Sequence, residues 1–492
     1  MTVFRARLVA GTVQCTEPDH PLIRLDPPGT FVLTAEHPAE QAVYYRVDHD
    51  AVHWADDPTE LAASAPPDAG VLLALIHGTV PDPAASSVPG VQRLAAGTVV
   101  RLDRDGVTVT RHSPVPAEAG LPLGIATGRA VPGDAAVAYS GGLSSAYVAI
   151  CALDAGLRPP LVHADFGAGG TPPPRIPGLS LVRVPTDPAD LVDRHQITGA
   201  EPLPPTPDAE AARRLIAHLR TAVGGPLVAG SFLEDLVSVR LPEVPKGHRD
   251  WRLLTCEPFH ASGRLRRLAE ARALIDRGGA PPAGPPPQGP HKEPAPAAAG
   301  ERPHDPPGAP PGVSEPDAGF LPGLTEAGRE ACASAQRGML ALWKSRLDLV
   351  GPALGRLEGG LAERGGGGAV LPALDPAVVA AAAALPAGRI GRIRRGVLEN
   401  HLPLQRAVAE HGVTGLRRRP PGQWLRLVAA DYLHRERRKL ADDLRRDCAL
   451  ADLGVFDPHA VADLLDDGRQ LAARALPLLR LVWTEQWLRS RS

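Results

Sequence analysis

Asp-Ala-Ala-Val-Ala-Tyr-Ser-Gly-Gly-Leu-Ser-Ser-Ala-Tyr-Val-Ala-Ile, residues 134 to 150, sets a short apolar run, a Ser140-Gly141-Gly142 turn and a second apolar run one after another. The pattern predicts a strand, a phosphate-cradling turn and the start of a helix. Two adjacent glycines let the backbone turn sharply and present its N–H groups with no Cβ in the way. Ser140 and Ser145 add hydroxyl donors beside the positive end of a helix, a combination that suits an anion such as the phosphates of a nucleotide. An ordinary Gly-Gly turn between a strand and a helix uses the same residues. The surrounding chain has to decide between the two.

Downstream of the turn, strands and helices alternate. Pro160 to Phe166, Leu181 to Val184 and Pro226 to Gly230 are strand candidates, and Ala209 to Thr221 is a helix candidate. Such alternation predicts a parallel, doubly wound sheet whose ligand sits at the C-terminal ends of the strands. Upstream, Thr30 to Thr34, Ala42 to Val47 and Ala51 to Trp54 are β-branched or aromatic runs separated by Gly, Pro and Asp. Thr98 to Leu102 and Val107 to Thr110 flank Asp103-Arg104-Asp105-Gly106, a hairpin signature. Ala69 to Ile76 reads as a short helix between strands, so the first hundred or so residues predict a largely antiparallel β domain.

Residues 279 to 318 form a Pro/Gly/Ala tract with almost no large apolar side chain, which predicts a disordered or polyproline-like spacer. A proline-docking partner is the other use of such a tract. Gly365 to Gly368 is a second flexible joint, and from about Leu324 onward the pattern is otherwise helical, notably Trp424 to Leu444 and Leu471 to Arg489. A chain of 492 residues is too long for one core. With 53 Lys and Arg against 55 Asp and Glu, the net charge of −2 gives no global argument for nucleic acid or an anionic membrane. Five scattered cysteines (Cys15, Cys151, Cys256, Cys332, Cys448) speak against a disulfide scaffold or a zinc knuckle. The start carries no signal-peptide core and no apolar run is long enough to span a bilayer, so a cytoplasmic location is expected. Lysine occurs only at Lys246, Lys292, Lys344 and Lys439, which limits any catalytic ammonium group. His163, His195 and His260 have no metal-ligand partner three or four residues on, and read as structural. Cys151, in the helix after the turn, reads as a packing residue.

Several pieces, in their order and spacing, resemble the asparagine synthetase superfamily. Tyr139 to Ser145 resembles its S-G-G-x-D-S pyrophosphate loop, and Leu75 to Pro83 followed by Val91 to Thr98 looks like the end of its glutaminase-type domain. Ala200-Glu201-Pro202 to Pro207-Asp208 is similar to its D-E-P…P segment, Ala369 to Pro376 to its P-F-L-D element, and Val482 to Leu488 to its closing helix. The length and the run Trp251 to Leu274 look most like the macrolactam synthetases of lasso-peptide pathways. The resemblance implies an α/β two-domain protein: an inactive glutaminase-like, Ntn-type antiparallel β domain over 1–115, then a doubly wound α/β pyrophosphatase-loop synthetase domain with a helical C-terminal part. That second domain would comprise an ATP-binding half over 125–278, the linker 279–318 and a helical half over 319–492. It further implies that ATP and Mg²⁺ serve to adenylate a carboxylate, which an amine then attacks. Partners would be a peptide or small-molecule carboxylate and precursor-peptide-processing proteins, with neither nucleic acid nor membrane.

Three departures from the family bear on mechanism. Its N-terminal nucleophile is a Cys after the initiator Met, and here the position holds Thr2, so ammonia release from glutamine is not expected. Ser144 stands where the family has a Mg²⁺-binding Asp, and a neutral hydroxyl is a poor ligand for a hard cation. The later motif G-x-G-x-D-E corresponds to Gly230-Ser231-Phe232-Leu233-Glu234-Asp235, in which Glu234 and Asp235 remain as metal candidates. An acidic pair at a helix start is also favourable without any metal. No lysine stands in Leu416 to Trp424, the stretch that matches the family's catalytic Lys segment; Arg417, Arg418 or Arg419 is the candidate catalytic cation, or the three form a basic surface turn. The resemblance thus assigns Ser140, Gly141, Gly142, Leu143, Ser144 and Ser145 to pyrophosphate. A catalytically silent protein that binds a precursor peptide or partner enzyme is the competing expectation, and a small-molecule amide or β-lactam synthetase a third.

Overall fold

Alternation of apolar and polar side chains along the first strands builds two antiparallel sheets, in a computed structural model that describes residues 3–9, 12–17, 22–26, 29–35, 43–61, 66–77, 84–112, 120–167, 172–197, 207–238, 323–331, 369–394, 397–416, 423–467, 471 and 474–491. One sheet joins β1 (Phe4–Val9), β2 (Thr12–Cys15), β5 (Tyr44–Asp48), β6 (Ala51–Ala55) and β7 (Gln92–Arg93) in the order β2-β1-β6-β5-β7. The other orders β3 (Ile23–Asp26), β4 (Thr30–Ala35), β8 (Thr98–Asp103) and β9 (Gly106–Arg111) as β3-β4-β8-β9. Their facing sides share one core of Ala6, Tyr45, Val52 and Trp54 against Phe31, Leu33, Val100 and Leu102. Trp54 stacks on Phe4 within its own sheet at 5.8 Å and on Phe31 across the interface at 5.3 Å. The expected strands, the β8–β9 hairpin and the helix α1 (Ala69–Ile76) all form. Asp68 starts α1 by accepting from the amides of Gly70 and Val71.

A parallel sheet follows, with β10 (Ala136–Ala138), β11 (Leu161–Asp165), β12 (Leu181–Pro185), β13 (Leu227–Ala229) and β14 (Ala369–Val370) in the order β12-β11-β10-β13-β14. Numbered within the sheet this is 3-2-1-4-5, the order in which a nucleotide-binding sheet reverses direction beside its first strand. The helices α2 (Leu123–Arg129) and α3 (Leu143–Asp154) pack against one face through Leu123, Ala126, Val148 and Ala152, while α4 (Pro207–Val223) covers the other through Leu219. Both faces of β10 are therefore buried, which explains why Ala-Val-Ala carries no polar alternation.

The stretch after Leu324 is less uniformly helical than its sequence suggests. Ala369–Val370 pairs with β13 as the edge of the parallel sheet, and β15 (Arg392–Arg394) forms a hairpin with β16 (Val397–Glu399). Two- and three-residue strands carry no readable period, so neighbouring helices dominate the pattern. Around them lie α5 (Leu233–Leu236), α6 (Pro376–Ala383), α7 (Leu402–Glu410), α8 (Gln423–Arg446), α9 (Ala449–Asp452), α10 (Pro458–Asp466) and α11 (Ala475–Arg491). The tract 279–318, the joint 365–368, the run 251–274 and the segment 200–206 lie outside the described residues, as do Thr2, Cys256, Cys332 and His260. Among the described residues no helix is long and apolar enough to cross a membrane.

The last helix ties the molecule together. Leu72, Leu73 and Ile76 of α1 share a core with Trp483 and Trp487 of α11 and with Leu433 and Leu440 of α8. Inside it, the buried Glu485 accepts from the amides of Ala449 and Leu450 at 2.8 and 3.0 Å and from Arg489 Nε at 2.8 Å. One carboxylate thus caps α9 and neutralises a cation. Glu485→Ala strands both amides and the guanidinium and is expected to cost about 3–5 kcal/mol in urea unfolding, with Glu485→Gln, which keeps an acceptor, costing distinctly less.

At the far end of α3, His411 Nε2 lies 2.8 Å from Asp154 and its Nδ1 lies 2.9 Å from the Ala407 carbonyl. The Ala407 carbonyl first, then Asp154, raise the imidazole above its usual value. Its folded value being the higher one, the stabilisation is complete below the ordinary histidine range and disappears as pH rises through the folded value. Asp154→Asn is expected to flatten the fall in thermal midpoint between about pH 6 and 8.

Candidate functional site

Ser140 to Ser145 connect the C-terminal end of β10 to α3. Gly141 has φ +77°, a left-handed conformation that side chains rarely take, and a Cβ there would also meet Pro173 and Pro174 at 3.0 and 3.1 Å. Gly142 is the N-cap of α3 and brings no side chain to the amides of the first turn. The serines supply the polar framework instead. Ser140 Oγ accepts from the Gly142 amide and lies 3.2 Å from Ser145 Oγ, while Ser145 Oγ donates to the Gly142 carbonyl.

A second element completes the loop. β13 ends at Ala229, and Gly230 approaches the first turn of α3 so closely that a Cβ would lie 2.7 Å from the carbonyl carbon and oxygen of Ser144. The chain then turns through Phe232 into the single turn α5, which carries Glu234 back to the loop. Ser144 Oγ donates to Glu234 Oε1 at 2.7 Å, and the Ser144 amide donates to the same oxygen at 3.3 Å. Glu234 thereby supplies the N-terminal cap that Gly142 lacks. β10 and β13 are the strands between which the sheet order reverses, and the crevice outside their carboxyl ends is where open α/β sheets bind ligands.

Phe232 takes the place of a second glycine without giving up the glycine conformation: its φ is +69° and ψ −9°. A left-handed non-glycine residue costs about 1–2 kcal/mol. The phenyl ring offsets this by packing against the core shared by α3 and α6. His401 is the other left-handed non-glycine residue among the described residues, with φ +59°. Its Nδ1 donates to the Val237 carbonyl at 2.8 Å, and the neighbouring Asn400 Nδ2 donates to Ser238 Oγ at 2.9 Å. The two strained residues therefore bracket the segment that presents Glu234. Neither Asn400 nor His401 stands out in the sequence; the one local signal is the Leu402-Pro403 helix start that follows them.

The structure brings together Ser140, Gly141, Gly142, Leu143, Ser144, Ser145 and Glu234. Asp235 is on the same turn of helix as Glu234, with its side chain outside what is described. Arg417, Arg418 and Arg419 also lie outside the described residues. Among the described residues no group of three or more His, Cys, Asp or Glu side chains could hold a metal ion. Glu234 is the carboxylate at the loop, and with phosphate oxygens and water it fits the Mg²⁺ habit of taking one or two protein ligands. His163 is buried, with Nδ1 2.8 Å from the Tyr139 carbonyl, a structural role. Burial pushes the Cys151 thiol up to about 12, in keeping with an inert packing residue.

No protein-family model matches this chain, and no curated protein matches it.

The conformation of Phe232 is measurable by paired substitution. Phe232→Ala and Phe232→Gly lose the same ring packing, but only glycine relaxes the backbone. Phe232→Gly is expected to unfold at higher denaturant than Phe232→Ala, by about 1 kcal/mol. Equal stabilities would mean that Phe232 is not held left-handed in solution.

Proposed function

We propose that this chain is an ATP-dependent, AMP-forming ligase that joins a carboxylate to an amine, with macrolactam closure of a peptide as the reaction. The observation that carries the reading is the meeting of the Ser140–Ser145 loop with Glu234 at the carboxyl ends of β10 and β13. The resemblance of that loop to the pyrophosphate loop of asparagine synthetases supplies the chemistry. A carboxylate oxygen of the substrate attacks the α-phosphorus of ATP and pyrophosphate leaves. An amine then attacks the acyl carbon, losing a proton as AMP departs, so that the products are amide, AMP and pyrophosphate.

Each residue has a role suited to its chemistry. Ser140, Gly141, Gly142 and Ser145 hold the departing pyrophosphate, whose charge grows as the bond to the α-phosphorus breaks. Glu234, with Asp235 beside it in sequence, would hold Mg²⁺, which neutralises phosphate charge when bound. Arg417, Arg418 or Arg419 would clamp phosphate oxygens bidentately. Thr2, in place of a nucleophilic cysteine, is the reason the β domain is given no glutaminase chemistry.

One observation favours a second reading, a silent protein on the same scaffold that binds a precursor peptide or a partner enzyme. Ser144 does not merely replace an acid; its hydroxyl engages Glu234, the acid that would serve the metal.

Incubation of the full chain with ATP, Mg²⁺ and candidate peptide or small-molecule carboxylates separates the readings. AMP and pyrophosphate in equal amounts, with a product lighter than substrate by one water, are expected. Peptide retention without AMP, and without pyrophosphate exchange into ATP, would replace the ligase with the silent binder.

A further inference from the structure

Between Phe232 and Ser238 the chain makes one turn of helix, too short to hold itself in place, and it is this turn that aims Glu234 at Ser144. Something else must fix its far end. That end, Val237 and Ser238, is buried; the Val237 amide donates to Leu233 within the turn, while the Val237 carbonyl and the Ser238 hydroxyl are engaged by a segment more than 160 residues later, at the junction of β16 and α7. The His401 imidazole reaches the Val237 carbonyl, which fixes its proton on Nδ1, and the Asn400 amide reaches Ser238 Oγ. Gln405 Nε2 in turn donates to the Asn400 carbonyl at 2.7 Å, and so holds the donor segment from within α7. The backbone at His401 is left-handed, a conformation that persists only where the surroundings enforce it and that concentrates at working sites.

We infer that Asn400 and His401 are positioning residues for the nucleotide site: together they clamp the Val237–Ser238 end of α5 and so hold Glu234 at the Ser140–Ser145 loop, where it meets the metal-bound phosphates. The inference rests on the nucleotide reading above and adds to it a second support, supplied by a distant hairpin rather than by the parallel sheet. Partners that orient a metal-binding carboxylate commonly change metal affinity about ten- to a hundredfold when removed. The clamp acts through Glu234 and touches no reacting atom.

Four variants of the full chain test it. Asn400→Ala and Ser238→Ala remove the two ends of one hydrogen bond. His401→Gly keeps the left-handed backbone but loses the imidazole, and His401→Asn tolerates the same backbone while keeping a donor. Two readouts are taken on each: the dissociation constant for ATP in excess Mg²⁺ by calorimetry, and hydrogen exchange at the Ser144 amide. Asn400→Ala, Ser238→Ala and His401→Gly are expected to weaken Mg·ATP about tenfold or more and to speed Ser144 exchange, with His401→Asn close to the parent. Ser238→Ala leaves the strained backbone untouched and so guards against loss of folding in the His401 variants. A parent that binds Mg·ATP beside variants that bind it equally, or that leave Ser144 exchange unchanged, overturns the clamp and leaves the nucleotide reading standing. A parent that binds no Mg·ATP overturns that reading and, with it, the role given to Asn400 and His401.

Discussion

The contact of Gly230 with the first turn of α3 is the constraint on which the candidate site depends. A backbone approach that leaves no room for a Cβ beside Ser144 sets the height of β13 against α3 and so the depth of the crevice between β10 and β13. Because β13 ends there, the chain must turn at once, and it does so through a residue in the left-handed region, Phe232. The turn leads into a helix of four residues whose second position is Glu234. One tight contact, one strained residue and one carboxylate thus follow from each other in the five residues from Gly230 to Glu234. The physical reason for a glycine at 230 is steric, whereas at 141 it is both steric and conformational.

Much of the architecture was legible because short apolar runs stand between turn-forming residues. The strands β4, β5 and β6 are β-branched or aromatic runs separated by Gly, Pro and Asp, which made them readable as strands, while the rows Phe31, Leu33 and Val52, Trp54 that face the shared core emerge from the structure. β10, β11 and β13 are short apolar runs bounded by Gly, Pro or Asp, and their alternation with helices signalled the parallel sheet. β14, β15 and β16 escaped, since two or three residues inside Ala- and Arg-rich sequence display no period at all. At the candidate site the glycine pair and the serines were readable from residue type and spacing, and Glu234 only through the resemblance of Gly230 to Asp235 to a family motif. Asn400 and His401 were not, because a left-handed position occupied by histidine has no sequence signature and their partners lie 162 and 164 residues away.

The C-terminal helices meet the rest of the chain through charged as well as apolar contacts. Glu210 on α4 is buried and pairs with Arg214, whose guanidinium sits 5.3 Å from the Trp483 ring centroid on α11. Arg194, also buried, reaches Asp443 on α8 at 2.9 Å, and Arg489 on α11 donates to the Asp443 carbonyl. Buried charges of this kind add less stability than their geometry suggests, since desolvation offsets the attraction. What the Arg194–Asp443 pair does fix is register: a shift of α8 by one turn would take Asp443 away from the buried Arg194. The aromatic faces of Trp483 and Trp487, each covered by an arginine, make α11 a spine with defined contacts on several sides.

Ser144 and Glu234 are 90 residues apart in the chain, and the strand that delivers Glu234 pairs beside the strand that delivers Ser144 only after α3, β11, β12 and α4 have been laid down between them. Closing so long a loop is slow relative to forming the neighbouring helices. During synthesis on the ribosome, the Ser-Gly-Gly turn therefore emerges well before the acid that caps it. The nascent chain passes through an interval in which the first turn of α3 has its amides open to water, and it becomes a site only when the carboxyl end of β13 arrives. Assembly of the crevice is in this sense a report on the arrival of β13, since no fragment ending before residue 234 can contain both of its walls.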